Sequence, residues 1–300
     1  MNRLATSMGR LRLKSPVTVA SGTFDTGYFD LFDQHVLGAY TTKTITLAPI
    51  AGNPPPRLFE TEAGLLNSIG LQNPGLKAWL NEDLPLLREK LRIPLIVSFS
   101  GSSEDEFLEV LDGLELQEGI AGYEVNISCP NVAREGIAFG ADPDVVFALA
   151  SRLAAITERE LIFKLSPNVT DIARVAQAAE SGGATSLALI NTLYGSAIDW
   201  KTGKFRISNP VCGYSGCGIK PVALALCHKV DQAVDIPILA LGGIHSWQDA
   251  LEFFWAGASA IALGTAFYSD PLAAVKLRQG LEAFLRENDL SLRDIIGKAR

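Results

Sequence analysis

The chain has no apolar run long enough to cross a membrane. Its first segment, Met1 to Pro16, carries Arg3, Arg10, Arg12 and Lys14 and is too short and too polar for a secretory signal. It reads as a soluble, unprocessed chain expected in the cytoplasm. Basic residues are also in deficit: 26 Lys and Arg stand against 33 Asp and Glu, net −7, with no basic block, which argues against a nucleic-acid partner. Only four cysteines are present (Cys129, Cys212, Cys217 and Cys227), and they form neither a CxxC pair nor a Cys/His pattern able to enclose zinc or an iron–sulfur cluster. No metal site is expected, and free thiols in a reducing compartment are the better reading. GxGxxG is missing, which removes the usual cradle for a dinucleotide. No Pro/Gly/Ser-rich linker interrupts the chain, so residues 1–300 read as one domain.

What is present is alternation. Short apolar, β-branched runs occur at Val17–Ala20, Ala39–Thr42, Leu95–Phe99, Tyr123–Ile127, Leu161–Leu165, Ser186–Ile190, Ile236–Leu241 and Ala260–Leu263. Helix-period segments lie between them, with starts such as Asp142-Pro143 before Val145–Ile156, Thr170-Asp171 before Ile172–Ser181, and Ser246 before Trp247–Ala256. Eight such units in 300 residues, 48% of them hydrophobic, favour a single α/β (β/α)8 TIM barrel over a doubly wound sheet. A short N-terminal hairpin and a hairpin insertion over Leu193–Gly218, after the sixth strand, complete the expected fold. The insertion, with Trp200 and Thr202-Gly203-Lys204, reads as structural.

In a barrel, the residues just past each strand converge on the face that carries active sites. Here they are Ser21, Lys43, Ser98 with Ser100, Asn126 with Cys129, Lys164, Asn191 with Thr192, Gly242-Gly243 and Gly264-Thr265. Loops are polar in any protein, which accounts for serines and glycines. It accounts poorly for Lys43 and Lys164, each following an apolar run where burying an ammonium is costly, so an anion is expected to meet them. The two glycine pairs follow the last two strands, where barrels commonly bind phosphate through open backbone N–H groups. A flavin mononucleotide has one phosphate and an edge that becomes anionic on reduction, which Lys164 would stabilise. Cys129 is either a small buried hydrophobe or a thiol placed to take a proton from a carbon acid.

Several stretches together resemble the catalytic subunit of class 1 dihydroorotate dehydrogenase, subtype B. They are Asn67-Ser68-Ile69-Gly70-Leu71-Gln72-Asn73-Pro74-Gly75, Asn126-Ile127-Ser128-Cys129-Pro130-Asn131, Phe139 to Pro143, Lys164 to Asp171, and Ile190-Asn191-Thr192-Leu193. Ser215-Gly216, Ile219 to Leu224, Gly242-Gly243-Ile244 and Gly264-Thr265-Ala266 continue the pattern in the same order. The resemblance implies that Cys129 removes the proton from carbon 5 of dihydroorotate while carbon 6 delivers hydride to FMN. It implies that Lys43, Asn67, Ser68, Ile69, Gly70, Leu71, Asn126, Asn131, Asn191 and Thr192 hold the substrate. FMN contacts would come from Ser21, Lys43, Thr44, Asn126, Lys164, Ile190, Gly216, Gly242, Gly243, Gly264 and Thr265. Asparagine, which offers both a donor and an acceptor, suits a dioxopyrimidine ring, and Asn67, Asn73, Asn126, Asn131 and Asn191 are placed for this; any one of them could equally turn a loop.

The chain departs from that pattern at Ser98, where the family usually has a flavin-contacting asparagine; Ser98 is retained as a shortened cofactor contact. Cys217 stands where proline is common and reads as a space-filling residue. Val132 to Gly140 reads as a lid, with an ordinary surface loop as the alternative. Phe253-Phe254-Trp255 reads as core. With no second redox site in the chain, the resemblance implies a homodimer joined to a partner subunit that carries FAD and a [2Fe-2S] cluster and reduces NAD+, a heterotetramer. Two alternatives remain open: a dihydropyrimidine dehydrogenase-like flavoenzyme, and a non-catalytic barrel that binds a phosphate ligand.

Overall fold

All eight expected strands form. In the computed structural model, which describes residues 2–128, 133–134 and 137–299, they are β1 (Val17–Val19), β2 (Tyr40–Thr41), β3 (Leu95–Phe99), β4 (Gly122–Asn126), β5 (Glu160–Lys164), β6 (Ser186–Leu189), β7 (Ile238–Leu241) and β8 (Ala260–Leu263). They make one parallel sheet in the order β1-β8-β7-β6-β5-β4-β3-β2. A bridge between Thr18 and Ala39, backed by the Gly38 N–H donating to the Val17 carbonyl at 2.7 Å, brings β2 against β1. The nearly closed cylinder with flanking helices is a (β/α)8 barrel.

Register decides what reaches the top of the barrel. Parallel pairing of β4 with β5 sets Asn126 beside Lys164, and pairing of β3 with β4 sets Ser98 beside Glu124. Because alternate residues of a strand share a face, Glu160, Ile162 and Lys164 lie on one side of β5. Between the polar side chains at its two ends the interior is apolar: Ile96, Ile162, Ala188, Leu239, Leu241, Ala260 and Ala262 pack together with Met8 and Leu13. Met8 and Leu13 come from the expected N-terminal hairpin, Thr6–Met8 paired with Leu11–Leu13. That hairpin stoppers the end of the barrel opposite the loops after the strands, where the Arg10 N–H donates to the buried Glu160 carboxylate. Burying each Leu, Ile and Met side chain of this cluster stabilises by about 1.5–3 kcal/mol.

The outer layer follows local rules. Asp142 caps Pro143–Ala154, with proline in the first turn, and Asp171 caps Ile172–Ser181. Ser246 and Asp249 form a capping box on Trp247–Trp255. Phe253 and Phe254 are fully buried, as core. The first crossover is different: only two 3-10 turns, Thr26–Asp30 and Gln34–Val36, connect β1 to β2.

The insertion after β6 does form a hairpin, Leu193–Gly195 with Cys212–Ser215, but it does not stand alone. Its second strand pairs with Gly64–Asn67, which pairs in turn with Leu58–Thr61, making a four-stranded antiparallel sheet from two separate insertions. Gly213 lies opposite Asn67 in that sheet.

Candidate functional site

A cavity of about 1290 Å³ opens where the barrel strands end. It exceeds the roughly 300–1,000 Å³ of an ordinary ligand pocket, leaving room for two small molecules side by side. Residues from the ends of β1 to β8 and from the four-stranded sheet line it.

The floor carries a buried ion pair. Lys164 and Glu124 are 4% and 2% exposed, with Nζ and Oε1 3.3 Å apart. Lys164 also donates to Ser21 Oγ at 3.2 Å. Desolvating both ions is expensive, and removing either one would leave its partner unpaired at a cost of about 3–5 kcal/mol. The second lysine is left without such help. Among the described residues Lys43 makes no hydrogen bond or ion pair, and burial first, then the positive charge of Lys164, push its pKa below the ordinary lysine value. A half-buried ammonium with no partner among the described residues, in a concave site, is a place for an anion.

The asparagines have defined orientations. Asn126 Oδ1 accepts from the Ser128 N–H at 3.2 Å and from Asn191 Nδ2 at 3.5 Å, and Asn191 Oδ1 accepts from the Thr192 N–H at 2.8 Å. Asn126 Oδ1 thus holds two donors, and each Nδ2 spends one N–H, Asn126 on Thr44 Oγ1 at 3.3 Å and Asn191 on Asn126 Oδ1, so each amide keeps one N–H to offer. Asn67 is the reverse: its Nδ2 donates to the Gly213 carbonyl at 3.4 Å, leaving its oxygen as an acceptor. Asn73 is buried and does not line the cavity; its side chain takes the N–H groups of Thr46 and Gly75 and donates to Leu71 O. It holds the loop in which Gly70 and Leu71 both have positive φ, 73° and 52°, a conformation unusual for leucine. Its expected part in heterocycle recognition is corrected to loop bracing.

Gly242 (φ 122°) and Gly243 (φ 80°) turn the chain out of β7. A Cβ on Gly243 would come within 2.7 Å of the Lys220 backbone N, so no larger residue fits. Among the described residues, the N–H groups of Gly243, Gly264 and Thr265 donate to no protein acceptor. Free N–H groups beside open glycine backbone suit a phosphate.

Of the residues expected at the site, Ser21, Lys43, Thr44, Asn67, Ser68, Ile69, Gly70, Leu71, Asn126, Lys164, Ile190, Asn191, Thr192, Gly216, Gly242, Gly243, Gly264 and Thr265 all line this one cavity. Ser98 does not. It is fully buried behind Thr44, with its hydroxyl bonded to Glu124 Oε1 at 2.9 Å, because the short side chain cannot reach past its own strand. Cys129 and Asn131 lie outside the described residues, as do Val132, Glu135 and Gly136 of the expected lid, whose described part pairs Ala133–Arg134 with Ile137–Ala138 as a short antiparallel ladder. Cys217 is exposed, with Sγ on the Ala63 carbonyl at 3.3 Å, so it fills no interior space. The hairpin insertion, expected to be structural, also contributes cavity wall through Tyr194, Asn209 and Val211. Glu124 was missed, although an acid inside an apolar strand run (Tyr123-Glu124-Val125) is a signal. Asn168 was missed as well; it lines the cavity and donates to the Thr192 carbonyl at 2.9 Å.

A nearly closed eight-stranded barrel with a large cavity at the strand ends, where polar groups converge, defines a TIM-barrel enzyme. The family model described as dihydroorotate dehydrogenase matches residues 3–285. The chain belongs to this family of oxidoreductases. It is 45% identical over 292 residues to a protein named dihydroorotate dehydrogenase B (NAD(+)), catalytic subunit, from Trichlorobacter lovleyi, covering 96% of this chain and 95% of that one. Proteins of the same name from Geobacillus kaustophilus (46% over 287 residues; 95% and 91% covered) and Thermoanaerobacter pseudethanolicus (41% over 300 residues; 99% of each) are also similar. Among the described residues no helix is long and apolar enough to cross a membrane, and no cluster of potential metal ligands occurs.

Proposed function

We propose that this chain oxidises dihydroorotate to orotate in de novo pyrimidine synthesis, as the cytoplasmic catalytic subunit of an NAD+-linked enzyme. What supports the reading is the convergence, in one cavity, of a glycine phosphate cradle, a buried Lys164 and asparagines of complementary polarity. FMN fits the cofactor part: Gly242, Gly243, Gly264 and Thr265 hold its phosphate, and Ser21, Lys43, Thr44, Asn126, Lys164, Ile190 and Gly216 hold the rest. When bound, FMN supplies the acceptor for the hydride that leaves carbon 6. Cys129 takes the proton from carbon 5, so that one carbon–carbon double bond forms as two electrons and two protons leave the substrate. Lys43 meets the substrate carboxylate. Asn126 and Asn191 donate to ring carbonyls, Asn67 accepts from a ring N–H, and Ser68 to Leu71, Asn131 and Thr192 complete the enclosure.

The electrons must go on, and the relatives' names, with NAD(+) and "catalytic subunit", favour a partner. That partner carries FAD and a [2Fe-2S] cluster, and a homodimer of this chain joins two copies of it. The test is substrate choice by the purified protein. It is expected to be yellow with one FMN per chain, and to oxidise dihydroorotate on the order of a hundredfold or more faster than dihydrouracil, which lacks the carboxylate for Lys43. Equal rates would favour a dihydropyrimidine enzyme; colourless protein would favour a non-catalytic barrel.

A further inference from the structure

Glu124 sits 2% exposed at the inner end of a line of hydrogen bonds that runs to the cavity wall. Ser98 Oγ contacts Glu124 Oε1 at 2.9 Å, Thr44 Oγ1 contacts Ser98 Oγ at 2.9 Å, Asn126 Nδ2 contacts Thr44 Oγ1 at 3.3 Å, and Asn191 Nδ2 contacts Asn126 Oδ1 at 3.5 Å. Proton counting orders this line. A carboxylate paired with Lys164 can only accept. Ser98 must therefore give it its single proton, and has only lone pairs left for Thr44. Thr44 must then donate to Ser98 and accept from the Asn126 amide. At the other end, the backbone N–H groups of Ser128 and Thr192 require the oxygens of Asn126 and Asn191 to be acceptors. Both ends impose the same direction, which removes the rotational freedom that hydroxyls and amides otherwise keep.

We propose that Glu124, through Ser98 and Thr44, is a positioning residue for substrate: it locks Asn126 and Asn191 so that the one remaining amide N–H of each is offered to the cavity, and the site selects a ligand presenting carbonyl oxygens there. The same carboxylate holds Lys164, so one buried acid organises both the cofactor edge and the substrate amides. The inference rests on the functional reading above, in which these two asparagines meet the substrate ring.

The experiment uses the FMN-loaded protein, with orotate titrated against the flavin absorption band, and Ser98→Ala, Glu124→Gln and the double variant. Ser98→Ala cuts the line but leaves the Lys164–Glu124 pair, so it is expected to keep its FMN while binding orotate about fivefold or more weakly. KM for dihydroorotate should rise by a similar factor, with the limiting rate of flavin reduction changed less than about threefold, a split that general loss of packing would not produce. Glu124→Gln should weaken orotate at least as much, and the double variant no more than the larger single effect, because both act on one line. Wild-type orotate affinity in Ser98→Ala, or a limiting rate that falls with unchanged KM, overturns the inference while the functional reading stands. Wild-type protein that holds FMN but does not bind orotate overturns both. Should Glu124→Gln fail to fold, Ser98→Ala alone decides.

Discussion

Lys43 is the residue at which the proposed reading sets stability against binding. Its ammonium is half-buried with no partner among the described residues, and burial together with Lys164 pulls its pKa down. The unfolded chain therefore binds more protons than the folded one between the lowered pKa and the ordinary lysine value, so stability rises with pH across that window. Replacing Lys43 by Met is expected to stabilise the ligand-free protein by about 1–2 kcal/mol, seen as a Tm increase of a few degrees, while abolishing orotate binding. In the wild-type protein, orotate affinity should fall as pH rises through the depressed pKa, below the 10.5 of an ordinary lysine; titrations across that range check this. At this scale the lysines and asparagines were legible because a charge or an amide at the end of an apolar run stands out. Which side of each amide faces the cavity was not legible: the Ser128 and Thr192 N–H groups are near in sequence but meet the Asn126 and Asn191 oxygens only in the particular turn that leaves each strand, and the Gly213 carbonyl reaches Asn67 only through folding.

Among the elements, the eight strands and the capped helices followed from local pattern, since short continuous apolar, β-branched runs and Asp or Ser caps act over a few residues. The joining of the Leu58–Asn67 and Leu193–Ser215 segments into one sheet did not, because their pairing spans well over a hundred residues and leaves no local mark. This joining places Asn67 opposite Gly213 and puts Tyr194 and Val211 into the cavity wall. The turn after β7 is equally exacting. Gly243→Ala forces a Cβ to 2.7 Å from the Lys220 backbone at φ 80°, so this variant is expected to purify without FMN, or to lose it by at least tenfold in Kd, while keeping a folded circular dichroism spectrum. Retention of FMN at wild-type affinity would mean that the phosphate lies elsewhere.

Across the whole molecule, the two ends of the barrel have different work. The N-terminal hairpin seals one end with Met8 and Leu13, and the cavity opens at the other. Met8→Ala should lower stability by about 2–4 kcal/mol in denaturant unfolding, with unchanged affinity for FMN in the folded protein. The measurement closest to the central claim is anaerobic stopped-flow mixing of the yellow protein with dihydroorotate, for wild type and Cys129→Ser. The wild-type flavin should bleach, at a rate that rises with pH toward a thiol ionisation near about 8.5. Cys129→Ser should keep its flavin but reduce it about a hundredfold or more slowly. A Cys129→Ser rate within about threefold of wild type, or a rate independent of pH, would contradict the assignment of that thiol as the base.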